Sequence, residues 1–355
     1  MEYRNLGKSG LEVSRLGLGT IFFGTALSEN DSKRVLDMFI DVGGNLVDTS
    51  NVYGGGMRGN NTKTAGTSEK TVGKVIKGKR DKLVIATKGT WLMEDKVTPN
   101  SVGLSRTYLT KQINASLQRL DTDYIDLYQC HCIDFYTPVE ETMRVFDDFV
   151  RAGKIRYIGV SNWDGWQVVK ANCYAQHANL TPFISNQIYY NIADRVAEHS
   201  IIPACRDQNV GIIAWGALAH GFLSGTQRRG DEGPAKDSRL SGTAMKDGES
   251  TTWKYLATEK TWTILDHLQR LATKRGRAVA NLAMRWLLQG VHCDVVLMGG
   301  ERPEFYDSYC DLLKFYLDDQ ELQELTTISE PEPTYPTNFQ NIFCRREGEF
   351  YGGLR

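Results

Sequence analysis

Four residues carry the chemistry that this sequence suggests first: Asp48, Tyr53, Lys88 and His131. A phenol titrates near pH 10, so an unaided tyrosine is a poor proton donor or acceptor near neutrality. A neighbouring ammonium stabilises the phenolate and lowers that value, each unit corresponding to about 1.4 kcal/mol. A lysine taken out of water needs an anion, which Asp48 can supply. A histidine across the same pocket can orient a carbonyl and donate to its oxygen as negative charge develops. Together they describe a site that protonates a carbonyl while hydride arrives from elsewhere. Singly they have blander readings: Asp48 as a cap or turn residue, Tyr53 as a half-buried aromatic, His131 as a satisfied core histidine. Lys88 resists such a reading, because a lysine that closes an apolar run needs a partner.

Elements far apart in the chain must bring these residues together. Short β-branched runs ending in turn or polar residues occur near 15–20, 45–49, 83–88, 124–131, 155–162, 184–189, 211–215 and 294–298. Most are nearly continuous apolar runs, as expected for parallel strands buried on both faces. Helical periodicity separates them. Asp31 is a candidate cap for the first helix, whose stripe is Val35, Leu36, Phe39 and Ile40. Ile113, Leu117 and Leu120 recur at helical spacing, and Gly153 stands where a helix-ending glycine belongs. Eight strand–helix units in 355 residues predict one α/β domain spanning 1–355, a (β/α)8 TIM barrel. Ser9-Gly10 predicts a turn in an N-terminal β-hairpin that plugs the barrel bottom. Long loops are expected at the C-terminal mouth, with the polar stretch 226–252 a candidate lid. The tail 329–355 shows no clear periodicity and could fold over the pocket or onto a partner chain.

The stretch GGGMRG, residues 54–59, matches the G-x-G-x-x-G of dinucleotide-binding loops. Such a loop opens a helix directly after a strand, and the next strand ends in an acid that holds a ribose. Here NVY intervenes, NNTKTAG follows, and the next helix is better started by Ser68-Glu69. The following strand ends in Lys88, whose charge is wrong for that role. The match reads as chance, and the glycines as a wall beside Tyr53.

Composition excludes several classes. Net charge is -1 with acids and bases interspersed, which argues against nucleic acid or lipid partners. No apolar run approaches the roughly 18 residues a membrane span requires, and the N-terminus shows no secretory signal. The seven cysteines are scattered, which suits reduced thiols and a cytoplasmic location. Cys130-His131-Cys132 is a poor metal motif, because alternate strand residues diverge. The cations of 74–82 read as a solvated helix face.

Reactive groups of a barrel lie where strands meet their C-terminal loops. The second, third and fourth runs end in Asp48, Lys88 and His131; the fifth ends in Ser161-Asn162, the sixth carries Gln187, and the seventh ends in Trp215. At this point the chain resembles the aldo-keto reductase family over nearly its whole length. The carrying motifs are NLGKSGLEVSRLGLGT, NLVDTSNVYG, VIATKG, TDYIDLYQCH, GKIRYIGVSN and WGALAHGFLSG. The resemblance implies that Tyr53 is the general acid/base, that Lys88 and Asp48 tune it, and that His131 positions substrate. It implies a nicotinamide cofactor, NADP(H) or alternatively NAD(H), across the barrel mouth. Ser161, Asn162 and Gln187 would hold the carboxamide, and Trp215 would stack on the ring. Gly216, Ala217, Leu218, Gly221, Leu223 and Gly225 would line the pyrophosphate. Arg239 could reach a cofactor phosphate or simply be solvated.

One stretch departs from the family pattern. Where members usually carry GARxxEQLxEN, this chain reads GGERPEFYDSY. After Gly299, the usual arginine position holds Glu301, the glutamine position Phe305 and the asparagine position Tyr309, with Arg302 one residue along. A carboxylate repels a 2′-phosphate but can accept from a ribose diol. Phe22, Trp91 and Trp163 follow strand ends and are candidates for a substrate pocket. The expected function is interconversion of a carbonyl (aldehyde, ketone or keto-sugar) and an alcohol. The alternative is a nucleotide-binding regulatory subunit resembling potassium-channel β subunits. A phosphosugar-binding barrel without redox chemistry is a third reading, which leaves the four residues without a purpose.

Overall fold

The structure, a computed structural model, describes residues 1–55, 62–235, 240, 249–343, 345–346 and 349–350. The chain opens with an antiparallel hairpin, β1 (Tyr3–Asn5) and β2 (Glu12–Ser14). Eight parallel strands among the described residues then close into a barrel. They are β3 (Leu16–Gly19), β4 (Leu46–Asp48), β5 (Val84–Gly89), β6 (Ile125–Cys130), β7 (Ile155–Ser161), β8 (Phe183–Tyr189), β9 (Gly211–Trp215) and β10 (Val295–Met298). Their order round the barrel follows the chain, and β10 pairs with β3. Each expected run forms its strand.

The outer layer contains α1 (Glu29–Asp41), α2 (Thr67–Val75), α3 (Arg106–Leu120), α4 (Val139–Arg151), α5 (Gly165–Ala178) and α6 (Ile201–Asp207). After β9 come α7 (Glu249–Leu256), α8 (Glu259–Arg275) and α9 (Val279–Gln289). In α1 the stripe Val35, Leu36 and Phe39 is buried as its spacing requires. Its cap is Ser28, not Asp31: the Ser28 hydroxyl accepts from the Asp31 N–H at 3.1 Å. Asp31 lies inside the first turn, where its charge faces the positive end of the helix dipole. The expected solvated cation face is also only partly one. Lys74 and Lys77 are exposed, but Arg80 is largely enclosed, paired with Asp126 at 2.7 Å and laid over the Tyr124 ring.

The hairpin closes the barrel floor. Leu6 and Val13 pack with Leu46, Val84, Ala86, Leu127, Ile213 and Val295, near the starts of the barrel strands. Because side chains alternate along a strand, the next inward positions after Leu46, Ala86 and Leu127 are Asp48, Lys88 and Gln129. An apolar floor therefore lies directly beneath a polar layer. Arg15 and Arg285 anchor the floor to α9 and the C-terminal region: both approach Glu2, and the Arg285 guanidinium lies 3.8 Å from the Tyr316 ring centroid.

The chain continues through α10 (Pro303–Cys310) and α11 (Asp319–Ile328). The tail, which has no legible periodicity, forms a short helix α12 (Thr337–Phe343) and a pair of two-residue strands, β11 (Arg345–Arg346) and β12 (Glu349–Phe350). Within the candidate lid, Gln227 and Leu240 are buried, while 236–239 and 241–248, Arg239 included, lie outside the described residues. Of GGGMRG, residues 56–59 lie outside them as well.

Gly7 fixes the hairpin on the floor. It has φ +58°, and an added Cβ would meet the backbone oxygen of Asn209 at 2.5 Å and the nitrogen of Gly211 at 2.7 Å. Gly7→Ala is expected to destabilise the fold by about 2 kcal/mol or more in denaturant unfolding, through positive φ and overpacking together.

Candidate active site

Lys88 is the centre of the polar layer. It is fully buried, so each of its three donors needs an acceptor. They lie 2.5 Å from Asp48 Oδ2, 2.8 Å from the Thr49 carbonyl and 3.2 Å from the Tyr53 hydroxyl. Burial disfavours the ammonium, but Asp48 and Tyr53 outweigh it and hold Lys88 above the ordinary lysine value. Asp48 in turn accepts from Gln187 Nε2 at 2.8 Å and Gln129 Nε2 at 3.3 Å through its other oxygen. Strands β4, β5, β6 and β8 thus meet at one carboxylate and one ammonium.

Tyr53 is half-buried in the turn that follows β4. His131 follows β6 and is nearly enclosed. Its ring stands edge-on to Tyr53, with centroids 5.8 Å apart, and stacks on Trp91 at 4.2 Å. Burial, reinforced by the Lys88 charge, pushes the imidazole well below its ordinary value, so it is neutral at physiological pH. Its Nδ1 lies 2.9 Å from the Ser50 hydroxyl, and Nε2 makes no hydrogen bond among the described residues. Cys130, one residue earlier, packs in the core on the other side of the barrel wall. The arrangement offers a phenol beside an ammonium, and a neutral imidazole across from it.

Beyond this cluster lies a second set of polar groups. Ser161 donates to the Gln187 carbonyl at 2.8 Å. Asn162 donates to the His131 carbonyl at 3.0 Å and accepts from Trp215 Nε1 at 3.0 Å. That bond braces the half-exposed indole of Trp215, whose other neighbours are Tyr189 and His220. Gly216 follows with φ +71°, and a Cβ there would enter the Tyr189 ring at 2.5 Å. Ala217 and Leu223 are buried, while the Leu218 carbonyl accepts from the N–H groups of Gly221 and Leu223. Within 216–225, Ala217, Ala219, Phe222 and Leu223 are buried, while Leu218 and His220 are partly exposed.

The structure separates the remaining candidates. Phe22 and Trp91 are half-buried near strand ends; Trp91 donates its indole N–H to Cys132 Sγ at 2.8 Å. Trp163 does not line a pocket: it is 1% exposed and packs edge-on against Phe183 in the core. Its position after a strand end resembles that of Trp91, but the chain turns it inward. Glu301 and Arg302 are exposed just before α10, and Phe305 is exposed beside Gly300. Tyr309 is buried, and its hydroxyl donates to the Gly299 carbonyl at 3.2 Å.

Ser50, Gln129 and Cys132 are the site neighbours that sequence reasoning missed. Ser50 and Cys132 flank candidate residues within two positions, and Gln129 shares the inward face of β6 with His131.

A sequence profile of the Aldo/keto reductase family matches residues 15–330. The chain belongs to that family. It is 32% identical to aldo-keto reductase YhdN of Bacillus subtilis (strain 168), over 93% of this chain and 94% of the relative. It is 31% identical to norsolorinic acid reductase B of Dothistroma septosporum, over 96% and 84% respectively. It is also 31% identical to a probable voltage-gated potassium channel subunit beta of Oryza sativa subsp. japonica, over 85% and 88%. Family membership supports an NAD(P)H-dependent oxidoreductase that acts on carbonyls. Among the described residues no helix is long and apolar enough to cross a membrane.

The low imidazole value has a consequence for stability. Below about pH 6.5 the unfolded chain binds a proton at His131 that the folded chain refuses, so stability falls with pH. Unfolding of wild type and His131→Gln at pH 7 and pH 5 should show the wild type losing more, by at most about 2 kcal/mol. Equal losses would mean that His131 titrates normally in the fold.

Proposed function

We propose that this protein is a nicotinamide-dependent carbonyl reductase or alcohol dehydrogenase in which Tyr53 is the general acid/base. The observation that carries this reading is the Tyr53 hydroxyl 3.2 Å from Lys88 Nζ, with Lys88 itself held by Asp48. The ammonium stabilises negative charge on the phenolic oxygen, so proton donation to a nascent alkoxide becomes favourable near neutrality. Asp48 keeps Lys88 charged inside the barrel, and Gln129 and Gln187 keep Asp48 in place. His131, neutral and facing Tyr53, orients the carbonyl and donates to its oxygen. Trp91 and Phe22 supply apolar walls.

The groups at the mouth suit a nicotinamide dinucleotide. Ser161, Asn162 and Gln187 are polar groups for a carboxamide, and the braced indole of Trp215 is a platform for a ring. The strap around Gly216, Ala217, Leu218, Gly221, Leu223 and Gly225 offers backbone to a pyrophosphate. Bound there, the cofactor supplies hydride. Glu301 and Arg302 face solvent where the adenosine end would lie, and we assign NADP(H) with Arg302 on its phosphate. The substrate class is a sugar, keto-sugar or secondary-metabolite carbonyl; the relative named norsolorinic acid reductase B favours the last.

A second reading, a nucleotide-binding regulatory subunit, draws on the rice relative's name and on the exposed tail aromatics Tyr335, Phe339 and Phe343. A panel of aldehydes and ketones separates the two: tight nucleotide binding with no turnover on any of them would favour the regulatory role.

Tyr53→Phe should lower turnover by about 10²–10⁴-fold while nucleotide binding survives. Loss of both together would count against the assigned role. Fluorescence titration of the apo-protein should show NADPH binding at least tenfold tighter than NADH, about 1.4 kcal/mol. NADH binding as well or better would instead assign Glu301 to a ribose diol.

A further inference from the structure

A neutral imidazole can serve a carbonyl oxygen in only one of its two forms. With the proton on Nε2 it donates a hydrogen bond; with the proton on Nδ1 it presents a lone pair that repels the oxygen. The groups around Nδ1 therefore decide whether His131 can do its work.

The group at Nδ1 is the hydroxyl of Ser50, at 2.9 Å. Ser50 is fully buried in the turn between Asp48 and Tyr53. Its single proton has three acceptors within reach: His131 Nδ1, Asn51 Oδ1 at 3.4 Å and the Lys88 carbonyl at 3.5 Å. The last two distances exceed the usual range for an O–H···O bond. The Lys88 carbonyl also already accepts from the Asn51 N–H at 3.0 Å. The Ser50 proton is thus best placed on His131 Nδ1, which leaves the ring's own proton on Nε2. The stacked Trp91, tied through its indole N–H to Cys132, limits tilting of the ring plane.

We propose that Ser50 is a positioning residue that donates its hydroxyl proton to His131 Nδ1 and so holds His131 as the Nε2–H tautomer. This rests on the reading of His131 as the group that orients the carbonyl, and it adds the residue that makes that role available. The neighbouring turn then serves the site twice: Tyr53 handles the proton, and Ser50 sets the direction of the second hydrogen bond.

Nitrogen NMR of histidine-labelled protein reads the tautomer directly, with His131→Gln used to assign the resonance. The wild type should show a protonated Nε2 and a bare Nδ1. Ser50→Ala should lose that bias and lower kcat for carbonyl reduction about tenfold, with NADPH affinity unchanged. Ser50→Thr, which keeps the hydroxyl, should restore both. A proton on Nδ1 in the wild type, or an unchanged tautomer in Ser50→Ala, overturns the proposal. Because the wild-type spectrum alone can do so, a variant that fails to fold does not shield it. The tautomer is read without substrate. A tautomer shift in a protein that reduces no carbonyl would sink the enzymatic reading and keep Ser50, whereas an active enzyme with an unmoved tautomer would do the reverse.

Discussion

A fully buried ammonium is the constraint on which this site depends. An unpaired charge at the position of Lys88 would cost several kcal/mol, so the surrounding strands must supply acceptors at fixed distances. Asp48 does this from the adjacent strand, and the Thr49 carbonyl and Tyr53 hydroxyl do it from the turn just beyond. The carboxylate is then itself a buried charge and draws Gln129 and Gln187 from β6 and β8. Satisfying one lysine in this way orders four strands and the turn that holds Tyr53.

The barrel makes that arrangement possible by dividing its interior along the axis. Leu46, Ala86 and Leu127 sit low on the same inward faces that carry Asp48, Lys88 and Gln129 above them. The hairpin residues Leu6 and Val13 seal the lower layer. Water excluded from below leaves the polar layer in a low-dielectric setting, where each charge–dipole contact is stronger than in water. The same setting keeps His131 neutral and makes its tautomer, rather than its charge, the variable that matters.

The mouth follows a different logic. In residues 216–225, Ala217, Phe222 and Leu223 turn their side chains into the core. Glu301 and Arg302 stand exposed just before α10, with Arg302 at its N-cap.

The sequence by itself determined the eight strands, their order, the hairpin and the strand-end positions of Asp48, Lys88 and His131. Those features rest on local signals, apolar runs that end in turn or polar residues, which a short window contains. A lysine closing an apolar run also pointed to Asp48 as its partner, and the family resemblance put Tyr53 beside the pair. Tertiary structure alone decided the rest. Trp163 and Trp91 follow strand ends alike, yet one is buried against Phe183 and the other stacks on His131, because the direction of each loop depends on what packs beneath it. Gln129 and Gln187 are ordinary amides in the sequence; they become partners of Asp48 only when the barrel closes and brings β6 and β8 across from β4. Ser50 likewise gains its meaning from a histidine 81 positions away, a pairing that no local pattern encodes.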